Sequence, residues 1–272
     1  MRRSKTLGKI RAGRPVRMCS LGSFLPFYVR LAAHSGFDCI WLDLEHRAMS
    51  EHEVQGLLAN CHLYDIDCMV RAPTLEKTGL YRYLEDGAAG TMIPHVSTAE
   101  KARMLVQSLK FPPLGDRGLD GAGLDSDFSI QGGAEYTDQA NRETFLVVQI
   151  ETVEAVENVD SIAAIPGVDG LFVGPGDLGL RLRHSSGVTW TLDDAVDRVA
   201  AAAAKHKKAW GMPAVSQAKL KELTAKGGQL LAYGGEFSAV ASALSQRAAE
   251  LDEVYGESHQ GQTEPQLGIV DG

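Results

Sequence analysis

No run in the sequence approaches the ~18 consecutive apolar residues that a membrane-crossing helix needs, and the basic start Met1 to Lys5 leads into no uninterrupted apolar core. A membrane span and a secretory leader are therefore not expected, and the expected location is cytoplasmic. A clustered Lys/Arg face is missing too: 27 basic against 35 acidic residues leave a formal charge of -8. That argues against a nucleic-acid backbone as partner, because phosphates call for concentrated positive charge. Cysteine is scarce, and the four present, Cys19, Cys39, Cys61 and Cys68, lack the spacing of a zinc site. They read as reduced structural thiols, two of them inside strand-like hydrophobic runs where a thiol behaves as a small apolar group.

What is present is an ordinary globular composition, 44% hydrophobic and 23% charged over 272 residues, with enough chain to bury a full core. Short β-rich runs alternate with longer stretches of helical spacing from one end to the other, the pattern of βα units around a parallel sheet. The candidate strands are Val16 to Leu21, Cys39 to Leu44, Asp67 to Arg71, Gly90 to Ile93, Phe145 to Ile150, Gly170 to Val173, Ala209 to Met212 and Gln229 to Ala232. Eight of them suggest a closed α/β barrel, the (β/α)8 TIM fold, as one domain over residues 1–255, with the polar stretch 256–272 a disordered tail. Helical spacing marks Ala99 to Leu109, Val153 to Ile165, Leu192 to His206, Ser216 to Ala225 and Ser238 to Leu251. Gly36, Gly87 and Gly227 each close a helix-like stretch shortly before a strand, where tolerance of positive φ lets the chain reverse. The Gly/Pro/Asp-rich stretch Phe111 to Glu143 breaks the rhythm; it is expected to be a lid or pocket wall on the outgoing side of the fourth strand, against the plainer reading of a surface insertion.

In such a barrel the working residues stand at the C-terminal strand ends. There the second strand delivers Asp43-Leu44-Glu45-His46-Arg47, the third Arg71, the fifth Gln149-Ile150-Glu151 and the sixth Gly174-Pro175-Gly176-Asp177. Glu151 and Asp177 offer hard oxygen ligands suited to Mg²⁺ or Mn²⁺, with Co²⁺ or Zn²⁺ as further options. The glycine-rich turn opens a helix-like segment whose backbone N–H groups can hold a carboxylate or phosphate. Arg71 carries a planar donor fork fit to stabilise an oxyanion, the alternative being an ion pair with a neighbouring acid. His46 is the natural general acid or base, since imidazole ordinarily titrates near neutrality. His95, just beyond the fourth strand, is a candidate lining of the mouth. No lysine occupies an equivalent strand end, which argues against a Schiff base.

With these residues the chain resembles the class II pyruvate aldolases of the HpcH/HpaI family, which includes 4-hydroxy-2-oxoheptanedioate and 2-dehydro-3-deoxygalactarate aldolases. The resemblance runs from about Ser20 to Leu251 and is densest in GFDCIWLDLEHRAMS from Gly36, VRAP from Val70, KFPPLGDRG from Lys110, VVQIETVEAVENVDSI from Val147 and IPGVDGLFVGPGDL from Ile165. It implies that His46 is the catalytic acid/base, that Arg71 stabilises a pyruvate enolate, and that Glu151 and Asp177 bind a divalent metal. Gln149 is then a pyruvate contact, and the backbone at Gly176 and Asp177 holds its carboxylate. Partners by resemblance are pyruvate with an aldehyde, or the corresponding 4-hydroxy-2-oxo acid, and further copies of the chain in a homo-oligomer, which in that family is commonly a hexamer.

Two positions depart from the family pattern. Glu85, fourteen residues after Arg71, stands where an aspartate usually partners the catalytic histidine, and is expected to take that role. The turn usually written GPADLS reads GPGDLGLRLR here. The rival readings are a related enolate enzyme, such as an oxaloacetate decarboxylase or a macrophomate-synthase-like cyclase, and a barrel that binds a 2-oxo acid without turnover.

Overall fold

The computed structural model describes residues 1–256; the expected disordered tail lies almost wholly outside the described residues. Eight parallel strands close into a barrel in sequence order. They are β1 (Val16–Leu21), β2 (Cys39–Asp43), β3 (Asp67–Arg71), β4 (Gly90–Ile93), β5 (Phe145–Ile150), β6 (Gly170–Val173), β7 (Ala209–Pro213) and β8 (Leu230–Gly235). Helices α1 (Lys5–Arg11), α2 (Pro26–His34), α3 (Glu51–Leu63), α4 (Lys77–Glu85), α5 (Ala99–Leu109) and α6 (Tyr136–Glu143) belong to the first half. The second half carries α7 (Val153–Glu157), α8 (Val159–Ala163), α9 (Pro175–His184), α10 (Leu192–His206), α11 (Gln217–Ala225) and α12 (Glu236–Tyr255).

Period-two alternation sorts each strand into two faces. Outward residues such as Ile40, Leu42, Val70, Val148 and Leu171 join the helices in one large apolar cluster. Inward residues fill the barrel: Val16, Met18, Cys39, Met69, Met92, Phe145, Val147, Phe172 and Leu230, closed below by Leu7 of α1. Gly90 makes room for the ring of Phe145, because a Cβ there would lie 2.3 Å from it. The same alternation carries on to the strand ends, so Asp43 (paired across the sheet with Arg71) and Gln149 continue the inward column. All four cysteines are buried and free, as expected. Gly36, Gly87 and Gly227 adopt φ of +79°, +102° and +86° just past their helices.

Three features differ from expectation. The single helix expected from Val153 to Ile165 is broken at Asn158, whose side chain leaves the helix pattern and donates to the Ser97 carbonyl at 2.9 Å. Strand β8 runs on to Gly235, and α12 begins directly after it. Within the chain the segment 111–143 does not stand at the mouth. Helix α5 intervenes between β4 and this segment, so it belongs to the return connection into β5 at the barrel's N-terminal end. It folds there around a buried Arg117–Asp125 pair at 3.2 Å, with the Tyr136 hydroxyl donating to Asp125 at 2.6 Å and Leu124 against Gly87.

Candidate active site

The opposite, C-terminal end of the barrel gathers charge around Arg71. Its Nε donates to Asp43 Oδ1 at 2.9 Å and a terminal nitrogen lies 2.7 Å from Oδ2, a two-pronged grip that fixes the guanidinium plane. The other terminal nitrogen lies 3.1 Å from Glu45 Oε2, and the Trp41 ring packs against the face, 4.8 Å from centroid to Cζ. The sequence left open whether Arg71 was a free oxyanion donor or one half of an ion pair. It is an ion pair, yet one set at the mouth. Burial alone would raise the Asp43 carboxyl; Arg71 and the backbone N–H groups of His46 and Glu45 outweigh it and hold the group below its usual range.

Across the mouth, Glu151 follows β5 and is 1% exposed. Its Oε1 accepts from the backbone N–H of His95 at 2.7 Å and lies 2.9 Å from His95 Nδ1. Burial pushes this carboxyl up, Glu45 and Asp177 add to the rise by like-charge repulsion, and His95 opposes it. Gly174 is required here, because a Cβ would stand 2.5 Å from Glu151 Oε2 and 2.9 Å from Gln149 Nε2. At Gly176 a Cβ would meet nothing within 4 Å, so the glycine opens space beside the first turn of α9.

Of the residues expected at the site, His46, Arg71, Gln149, Glu151, Gly176 and Asp177 all lie at this end. His46 is 54% exposed in its side chain, with Nε2 3.7 Å from Glu45 Oε2. Asp177 is engaged by Arg181, whose guanidinium donates to Oδ1 at 2.6 Å and to the Glu151 carbonyl at 3.2 Å. Glu85 is not brought to His46 within the chain. It closes α4, and helices of a parallel barrel run back from the mouth, so it stands at the far end with Arg117 4.0 Å away.

The structure also draws together two residues that the sequence placed at the mouth without a role, Glu45 and His95. Glu45, His95 and Glu151 each offer one ligand atom, all within 4.8 Å of one another. Lys101, in the first turn of α5, donates to the His95 carbonyl at 2.7 Å. The available signal was position: Glu45 and His95 both fall within two residues of a strand's end.

A divalent cation suits this donor set. The carboxylates are hard oxygen ligands, Glu151 is buried with Glu45 and Asp177 adding negative charge, and the buried Gln149 Oε1 lacks a hydrogen-bond partner. When bound, such an ion would supply Lewis acidity to polarise a carbonyl.

A parallel barrel whose strand ends converge on an arginine, an exposed histidine and a buried glutamate is the plan of a TIM-barrel enzyme. The HpcH/HpaI aldolase/citrate lyase family model matches residues 17–243, and the chain belongs to that family of carbon–carbon lyases. Hydroxypyruvate/pyruvate aldolase of Deinococcus radiodurans is 32% identical over 95% of this chain and 92% of that protein. Among solved structures, an HpcH/HpaI aldolase from Desulfitobacterium hafniense superposes with a TM-score of 0.83 at 31% identity, covering 90% of this chain and 96% of that one. Macrophomate synthase gives 0.77 at 26% identity, covering 92% and 90%. No helix among the described residues is long and apolar enough to cross a membrane.

Proposed function

We propose that the chain is a divalent-metal-dependent pyruvate aldolase that forms and cleaves 4-hydroxy-2-oxo acids through the enolate of pyruvate. The observation that carries this reading is Arg71, held rigid by Asp43 and Trp41 at the mouth and linked through Glu45 and His95 to the buried carboxylate of Glu151. Glu151 and Asp177 would hold the metal, Mg²⁺ or Mn²⁺ in the first instance with Co²⁺ or Zn²⁺ as further options. Gln149 Oε1, buried and without a partner, supports a contact to bound pyruvate, and the open backbone at Gly176 and Asp177 suits its carboxylate.

In the condensation direction a base, the role the resemblance gives to His46, takes a proton from the pyruvate methyl group while Arg71 stabilises the oxygen charge that develops, and the enolate carbon bonds to the aldehyde carbonyl carbon. His46, exposed at the rim, then gives a proton to the alkoxide formed on the aldehyde; cleavage reverses these steps. A partnership of Glu85 with His46 would require Glu85 from another copy of the chain, which fits a homo-oligomer.

Likeness to macrophomate synthase favours one second reading, an enolate generated by decarboxylation and used in another bond formation. An acceptor screen separates the two. The aldolase reading expects loss of pyruvate that requires both an aldehyde and a divalent metal and stops with EDTA. Metal-dependent loss of oxaloacetate with no aldehyde-dependent loss of pyruvate would replace it by the second reading; neither activity would return the chain to a binding role.

A further inference from the structure

The departure from an all-oxygen site rests on His95. This residue holds φ of +55°, a left-handed conformation that side-chain-bearing residues seldom take. The conformation is fastened on both sides. The His95 N–H donates to Glu151 Oε1 at 2.7 Å, and its carbonyl accepts from Lys101 Nζ at 2.7 Å. The turn places the imidazole between two acids, Nδ1 2.9 Å from Glu151 Oε1 and Nε2 3.5 Å from Glu45 Oε1. Glu45 is in turn held by Arg71 at 3.1 Å.

A histidine that binds a metal through one ring nitrogen usually directs its other N–H at a carboxylate, which fixes the tautomer and the ring orientation. The arrangement Arg71, Glu45, His95, Glu151 has that order, with His95 Nε2 at ion-pair separation from Glu45. The separation of Nδ1 from Glu151 Oε1 also matches neighbouring ligands on one ion, which at metal bonds of roughly 2.1 Å stand about 3 Å apart. We propose that His95 Nδ1 is a metal ligand beside Glu151, with Glu45 as the acceptor that orients the imidazole, so that the site takes Co²⁺ or Zn²⁺ in preference to Mg²⁺. The nitrogen donor is the reason: imidazole favours borderline ions, whereas Mg²⁺ is served by oxygen alone. This inference rests on the metal-dependent reading above; it adds His95 to Glu151 and Asp177 and moves the preferred ion from Mg²⁺ or Mn²⁺ to Co²⁺ or Zn²⁺.

The test measures metal binding on the full chain without substrate, by equilibrium dialysis for Mg²⁺ and Co²⁺ and by the visible spectrum of bound Co²⁺. His95→Gly and His95→Asn are the variants, since both residue types tolerate φ near +55°, and circular dichroism confirms that each is folded. Loss of a direct ligand should weaken Co²⁺ at least as much as loss of an orienting partner, about 10- to 100-fold, and Glu45→Gln should fall within that range. Mg²⁺ affinity should change far less, the Co²⁺ spectrum should shift in both variants, and added imidazole should restore it in His95→Gly. Folded His95→Gly with wild-type Co²⁺ affinity and an unchanged spectrum overturns the ligand assignment alone. A wild-type chain that binds no divalent ion overturns this inference together with the metal-dependent reading.

Discussion

Two arginines lie buried at opposite ends of this barrel, and the contrast between them separates a working site from a structural one. Arg71 at the mouth and Arg117 beneath the barrel each pack against an aromatic ring, Trp41 at 4.8 Å and Phe111 at 4.5 Å, and each meets an aspartate. Arg117 is enclosed by its own return segment, with Asp125, Tyr136 and Glu85 around one terminal nitrogen and 1% of its side chain exposed. Arg71 is gripped more completely, yet the groups beyond it, His46 and His95, are about half open to solvent. Buried charge alone therefore does not mark chemistry; a rigid charge with exposed titratable neighbours does. The nearby acids diverge as well. Asp43 at the mouth is held below its usual range chiefly through Arg71 against the effect of burial, whereas Glu85 below is raised by burial and by Asp125, Asp120 and Asp86, with Arg117 opposing.

Substitutions at the two ends should separate accordingly. The largest effect is expected for Glu151→Gln, which removes an anionic ligand at constant volume and should bring aldol turnover to background while the circular dichroism spectrum is kept. Gly174→Ala should do nearly the same by displacing that carboxylate, whereas Gly176→Ala, with open space around it, should retain turnover. Next comes His46→Ala, expected to slow carbon–carbon bond making and breaking by roughly 10²- to 10⁴-fold with metal affinity kept. Collapse of metal binding in this variant would make His46 a ligand instead. Below the barrel the signature inverts: Arg117→Leu should cost stability of about 3 kcal/mol in denaturant unfolding, because Asp125 stays buried, while divalent-metal binding per folded molecule holds.

The smallest effect is a matter of pH. A raised Glu85 pKa means that the fold prefers the protonated form, a preference fully present below the ordinary value of 4.5 and lost as pH rises through the raised one. Glu85→Gln mimics the protonated carboxyl, so its thermal midpoint should exceed that of the wild type at pH 7, and the gap should close below 4.5. Asp43→Asn should behave oppositely: the lowered pKa contributes stability above the ordinary 3.8 that is lost as pH falls through the lowered value. That variant should melt earlier than the wild type at neutral pH and converge with it in acid.

Much of the barrel was readable because its strands are buried on both faces and stand out as short β-rich runs, which is why β1, β3, β4, β5 and β6 fall where the sequence places them. The end of β8 was not, because Tyr233 is exposed and Gly234 and Gly235 carry no apolar signal. The segment 111–143 was assigned to the mouth although the helix before it, α5, was itself readable; that order alone sends the segment to the opposite end. At the site, Arg71 and Glu151 could be found from strand ends. The grip of Asp43 on Arg71 depends on the β2–β3 register, and the approach of His95 to Glu151 depends on a positive φ that no glycine announces. Both are properties of the closed structure.

The central claim is that the mouth stabilises a pyruvate enolate, and its most direct test needs no aldehyde. Pyruvate incubated in D₂O with the protein and Mg²⁺, Mn²⁺ or Co²⁺ should lose its methyl proton signal, with the exchange abolished by EDTA. Arg71→Ala should slow it sharply even where pyruvate still binds, because the guanidinium interacts more strongly with the developing oxyanion than with the neutral carbonyl, and Arg71→Lys should recover only part. Folded wild-type protein showing no metal-dependent exchange across these ions at near-neutral pH, or Arg71→Ala exchanging at the wild-type rate, would contradict the account.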